Sequence, residues 1–216
     1  MSTIARPYIA YGPGDELPVV KDQLRGAIRS EREKRSAKER ERAAVDLAQL
    51  VGDLESVRAA HTIACYVSRP AEPGTYPLLD RLAGRKARVM LPMLGTGLTR
   101  QWAWLTTTAE LEVRAPGRPA EPAGPGMDQD ALAQADVVIV PALAVDTAGR
   151  RLGHGGGWYD RVLEHVRPGV TVLAVVWPEE LYDAQTHPLP TESHDRPVRA
   201  VATTAGWRQL GQPTVV

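Results

Sequence analysis

The sequence predicts an α/β protein, a three-layer α/β/α sandwich around a mostly parallel, Rossmann-like sheet. Three observations carry that expectation. The runs "ADVVIVPALAVD" and "VTVLAVVW" are continuously apolar, as strands buried on both faces are. Segments with helical periodicity alternate with these and other short apolar runs. A glycine-dense loop, "RLGHGGGWYDR" at 151–161, joins one strand-like run to one helix-like run.

Residues 1–18 carry Gly and Pro without sustained periodicity and read as an N-terminal arm. A single domain is expected over 19–210. Its first helix begins at Val19, in "VVKDQLRGAIRSEREKR". Ser36 followed by Glu39 is a capping-box signature. It starts a second helix that runs to about Val51, with Ala44, Leu47, Ala48 and Val51 on one face and Gly52 ending it. "HTIACYV" reads as a strand, "TYPLLDRLAG" as a short helix, "RKARVMLPM" as a strand, and "RQWAWL" as a further one. Residues 114–127 are rich in Pro and Gly and read as a long irregular loop. After the glycine loop come a helix in "WYDRVLEHV", the strand "VTVLAVVW" and a last strand in "VRAVATT".

Composition narrows the function. Lys+Arg and Asp+Glu are 26 each, so the basic excess of a general nucleic-acid binder is missing. The single cysteine, Cys65, excludes an internal disulfide and a multi-cysteine zinc site. Its apolar surroundings predict a buried core thiol rather than a nucleophile. The five histidines show no metal-ligand spacing. No apolar stretch approaches the roughly 20 residues that cross a bilayer, and the N-terminus is not patterned as a signal peptide. A cytoplasmic location without membrane or nucleic-acid partners is expected.

The glycine loop predicts a phosphate cradle. It falls at the carboxyl end of a strand, where open α/β sheets bind ligands. A helix N-terminus beside it would offer free amides and partial positive charge. Arg150, Arg151 and Arg161 would add cations. A plain turn with solvated arginines is the competing reading, and four glycines exceed what a turn needs. A dinucleotide fingerprint fails on spacing, and the Gly-Lys-Ser/Thr of a Walker A loop is absent. Asp160 reads either as a Mg²⁺ ligand beside phosphates or as an aspartate stabilised in the first turn of its helix. His154 reads as a contact or surface residue. Lys21, Arg25 and Arg32 share a helix face with Arg29 beside them, either a solvated stripe or one wall of a phosphate site.

With these pieces in place, the chain resembles the 5-formyltetrahydrofolate cyclo-ligase family. "RLGHGGGWYDR" is similar to that family's glycine signature. The Lys21-to-Arg25 spacing, Glu72 and Thr75, the "AEP" at 120–122 and "LPTESHDRPV" follow in the expected order. The resemblance covers about residues 19–205. It implies an ATP- and Mg²⁺-dependent closure of 5-formyltetrahydrofolate to 5,10-methenyltetrahydrofolate, by a monomer acting on small molecules. It implies ATP contacts from Lys21, Arg25, Arg151, Gly153, His154, Gly155, Gly156, Gly157, Trp158 and Tyr159. Arg151 and Tyr159 would be catalytic, and Asp160 and Asp195 would hold Mg²⁺. Val67, Glu72, Trp104, His154 and Trp158 would meet the folate. His154 and Trp158 depart from the aromatic or arginine and the tyrosine common at their positions. The competing readings are another phosphate-handling α/β enzyme, for which no acyl-transfer glutamate is visible, and a non-catalytic nucleotide- or RNA-binding protein.

Overall fold

The computed structural model describes residues 6–85 and 87–211; of the arm, residues 1–5 lie outside them. Helix α1 spans Leu17–Glu33 and α2 Ala37–Asp53. Pro18 stands in the first turn of α1, where its missing N–H costs nothing. The expected capping box is formed. Ser36 accepts from the Glu39 N–H, and the Glu39 carboxylate accepts from the Ser36 N–H, a cap worth about 1 kcal/mol. Helices α3 (Glu55–Ala59) and α4 (Tyr76–Ala83) are short.

The main sheet has eight strands in the order β11-β10-β8-β5-β1-β2-β3-β4. In chain order these are β1 Thr62–Ala64, β2 Arg88–Leu94, β3 Arg100–Trp104, β4 Met127–Asp128, β5 Val137–Pro141, β8 Thr171–Val175, β10 Ala200–Thr203 and β11 Gly206–Gln209. The central five, β10-β8-β5-β1-β2, are parallel, and the strands outside them pair antiparallel. A second sheet joins β7 (Arg151–Leu152), β6 (Ala144–Asp146) and β9 (Leu181–Tyr182).

Alternation along the strands divides the core. Ile63, Leu91, Ile139 and Leu173 pack under α2, α3 and α4. Ala64, Met90, Val138 and Ala174 pack on the opposite face, beneath 3₁₀ turns at 129–134 and 163–165 and the short helix α5 (Trp158–Val162). Helix α1 lies apart, with Leu24 and Ile28 packed against Ala144, Leu152 and Tyr182 of the small sheet. The three layers and the mostly parallel sheet are as expected. Cys65 is fully buried in the core, and burial pushes its thiol up to about 12.

Two elements differ from the expectation. "ADVVIVPALAVD" is not one strand. It breaks after Pro141, and β6 leaves for the small sheet, although both halves are equally apolar and equally buried. The helix expected over 158–166 stops after five residues and tightens to a 3₁₀ turn, with Pro168 close behind to prevent its continuation. Residues at the foot of the arm are tied down. The Tyr8 hydroxyl donates to Pro188 O at 3.2 Å, and the Tyr8 ring meets His187 edge-on.

Candidate active site

The chain runs from β1 to β2 in one direction across the sheet and then through β5, β8 and β10 in the other. The direction reverses between β1 and β5. In open α/β sheets a ligand crevice lies outside the carboxyl ends of the strands at that point. A cavity of about 540 Å³ lies there, lined by Tyr66 and Val67 after β1, Met93 and Leu94 of β2, and Pro141 of β5. That volume suits a small-molecule site.

The glycine loop reaches this cavity by a different route from the one its sequence implied. The strand before it is β7, antiparallel to β6 in the small sheet. The β6–β7 hairpin turns the chain back, so Arg151, the residues 153–157 and Pro141 line the same space. Gly155 (φ 102°) and Gly157 (φ 59°) hold left-handed backbone that a side chain would strain. A Cβ on Gly156 or Gly157 would meet nothing, so the loop borders open space there. Because α5 has only five residues, its dipole is small. The anion-binding capacity therefore comes from the loop's amides and the surrounding cations.

The α1 stripe supplies those cations and is not a solvated face. Arg25 Nε donates to Gly153 O at 2.9 Å, and Arg29 donates to His154 O at 3.0 Å. Lys21, 4 % exposed, contacts Glu192 at 2.8 Å and Asp195 at 2.5 Å. Its ammonium holds the Glu192 carboxyl below the usual range. Arg32 faces away from the loop, into a buried pair with Glu180 at 2.6 and 2.8 Å.

Arg151 is buried and donates to Asp160 Oδ1 at 2.5 Å, and the Arg196 N–H donates to the same oxygen at 3.2 Å. Asp160 stands in the first turn of α5, as one of its two readings expected, and is not an isolated anion. Asp160 and Asp195 both line the cavity, each with a cation of the chain against it. Among the described residues no group of three or more His, Cys, Asp or Glu could hold a metal ion. Two carboxylates, Asp160 and Asp195, are on the cavity wall, and an ion that takes most of its ligands from a bound phosphate needs only one or two.

Glu72 is 5 % exposed and accepts from the Arg69 N–H at 2.9 Å. Its Oε1 lies 2.7 Å from His154 Nε2. Burial alone would raise the Glu72 carboxyl; His154, the Arg69 N–H and Arg32 outweigh it and lower the pKa. Trp158 packs edge-on against buried Trp102 at 5.1 Å and against Tyr159 at 4.8 Å. Burial pushes the Tyr159 phenol well above its ordinary value, so it stays protonated and its O–H can donate at neutral pH.

Trp104 corrects the expectation. It is not at the cavity wall. It lies two residues beyond Trp102 on β3, and the Arg88 guanidinium sits 3.8 Å from its ring centroid. The other expected residues, Lys21, Arg25, Val67, Glu72, Arg151, Gly153 to Tyr159, Asp160 and Asp195, all line the one cavity. Residues assigned no role from sequence join them: Tyr66, and Glu121 and Glu192, which lie within the quoted "AEP" and "LPTESHDRPV" motifs. Three cavity-lining residues carry a buried polar atom with no hydrogen-bond partner: the Tyr66 hydroxyl, Glu121 Oε2 and Arg151 Nε. Orphaned buried polar atoms are rare in folded proteins, and their concentration here marks a space built for a polar ligand.

Comparison with known proteins gives consistent matches over most of the chain. The sequence model of the 5-formyltetrahydrofolate cyclo-ligase family matches residues 18–204. The 5-formyltetrahydrofolate cyclo-ligase of Mycolicibacterium smegmatis is 36% identical over 192 residues, covering 81% of this chain and 94% of the relative. The Escherichia coli K12 protein of the same name is 34% identical over 149 residues, covering 67% and 78%. The solved structure of Aquifex aeolicus 5,10-methenyltetrahydrofolate synthetase superposes with a TM-score of 0.74 at 26% identity, covering 88% of this chain and 92% of that one.

Proposed function

The chain belongs to the 5-formyltetrahydrofolate cyclo-ligase family, and from that premise we propose that it closes 5-formyltetrahydrofolate to 5,10-methenyltetrahydrofolate at the expense of ATP. The observation that carries the reading is the shared cavity. Cations and free loop amides line it together with a half suited to an apolar, hydrogen-bonding ring.

In this reading the γ-phosphoryl group passes from ATP to the formyl oxygen, and ADP departs. The folate N10 attacks the activated carbon and gives up its proton. The carbon–oxygen bond then breaks, phosphate leaves, and the ring is closed. The protein supplies no nucleophile. Its task is positioning and charge neutralisation. Lys21, Arg25 and the amides of 153–157 hold the phosphates. Arg151, kept extended by Asp160, neutralises charge on the moving phosphoryl group. The protonated Tyr159 donates to oxygen at the junction of the two ligands. Val67 and Trp158 wall the folate, and Glu72 accepts from its pterin ring. Asp160 and Asp195 would hold Mg²⁺, which when bound shields the phosphates from these carboxylates.

The enzyme is assigned to the cytoplasm as a monomer; no described helix is long and apolar enough to cross a membrane. The test is an absorbance assay for methenyl-folate, with and without Mg-ATP. Product that requires both ATP and Mg²⁺ is expected. Well-folded protein that makes none would sink the proposal.

A further inference from the structure

Asp22, Glu121 and Glu192 are the cavity carboxylates that the reaction above leaves without a task; Asp22 contacts Arg25 at 2.6 Å and Glu192 contacts Lys21 at 2.8 Å, whereas Glu121 has no such partner. Glu121 is 5 % exposed, and its Oε2 is buried with no hydrogen-bond partner. The nearest cation is Arg114, whose Nε is 3.9 Å away and whose NH2 is already committed to Pro122 O. The backbone around Glu121 is fixed. Its N–H donates to Glu112 O at 2.9 Å, and its carbonyl accepts from the Glu112 N–H at 3.0 Å. Its neighbour Ala120 packs in the same cluster as Tyr66 and Val67. A rigid strap therefore presents an unsatisfied carboxylate beside the apolar wall of the cavity.

An orphaned carboxylate oxygen is costly unless something arrives to meet it. Phosphate would be repelled, so Glu121 does not belong to the nucleotide's charged half. The hydrogen-bonding edge of adenine alternates donor and acceptor, so one of its atoms would face a carboxylate lone pair to lone pair. The pterin ring differs. Its N3–H and 2-amino groups point the same way, and two parallel N–H donors match the two oxygens of a carboxylate.

We propose that Glu121 is a second substrate-binding carboxylate of this cavity and accepts the paired N3–H and 2-amino donors of the pterin. This rests on the folate reading above. It separates the two glutamates: Glu72 is largely satisfied by His154 and Arg69, whereas Glu121 is completed only by substrate.

The experiment measures KM for 5-formyltetrahydrofolate and for ATP in wild type and Glu121→Gln, with equilibrium binding of 5-formyltetrahydrofolate alone. Glutamine turns an N–H toward the two donors. The folate KM and Kd should rise at least about tenfold, while the ATP KM stays within about twofold. A 2-desamino-2-methyl analogue of the substrate should bind wild type at least about tenfold more weakly than the parent. The variant should not discriminate between the two. An unchanged folate KM overturns the proposal, as does a variant that still discriminates, or Arg114→Ala reproducing the whole effect. If the variant does not fold, the analogue on wild type alone decides: equal binding of parent and analogue overturns the assignment. Wild-type protein that neither binds nor converts 5-formyltetrahydrofolate overturns the folate premise itself, a result distinct from all of these.

Discussion

Arg32, near the end of α1, and Arg151, at the root of the glycine loop, are both buried guanidiniums facing a carboxylate, but they end differently. Arg32 donates to both oxygens of Glu180 and to Ala142 O, and Glu180 also accepts from the Trp177 N–H. Arg151 has one carboxylate oxygen, and its Nε is left bare on the cavity side. The first network is closed and ties α1 to the β5–β6 connection and the turn before β9. The second is open where a ligand would sit. Burial and charge are alike in the two, so completeness of hydrogen bonding separates a structural clamp from a binding site.

The comparison can be broken most directly at Glu180. Glu180→Ala strands a buried guanidinium and should cost about 3–5 kcal/mol of stability, read from urea unfolding. Folded variant should keep its activity per molecule. A stable variant with lost turnover would place the closed network in the reaction. Next comes Asp160→Asn on the open side. Loss of roughly 10²–10³-fold in kcat/KM is expected, about 3–4 kcal/mol in the transition state, with a smaller fall in melting temperature. A variant that mainly unfolds would make Asp160 a structural partner of Arg151 and nothing more.

The smallest effect concerns His154. The folded Glu72 carboxyl is lowered, so the stability it contributes is present above its unfolded pKa of about 4.3 and is lost as pH falls through the folded value. His154→Gln removes part of what lowers it. Melting temperature against pH should therefore begin its acid decline at higher pH in the variant. Superimposable acid limbs would show that Arg69 and Arg32 alone hold Glu72 ionised.

Much of this was legible in the chain. Ser36 and Glu39 are local signals three residues apart, and the helix they begin needs no distant partner. The glycine density of 153–157 announces left-handed backbone, found at Gly155 and Gly157, and Lys21 and Arg25 share a helix face by spacing alone. Other features were not legible for physical reasons. Trp102 and Trp104 point to the same side of β3, and only the arrival of Trp158 decides which one packs behind the cavity wall. Glu121 sits in a Pro- and Gly-rich stretch with no period, so nothing local says that its carboxylate is buried. The break at Pro141 was hidden because strands of either sheet here are equally apolar.

The sequence by itself determined the elements whose causes are local or periodic: the capped helix, the apolar strands, the glycine loop and the Lys21–Arg25 pair on one helix face. It also carried the family resemblance, since that signature is contiguous. Only the tertiary structure decided which charges are satisfied. Hydrogen bonding of Arg32, Arg151, Glu72 and Glu121 depends on partners up to 148 residues away, as between Arg32 and Glu180. No window of sequence registers whether such a partner arrives, and that distinction is what separates the frame of this protein from its site.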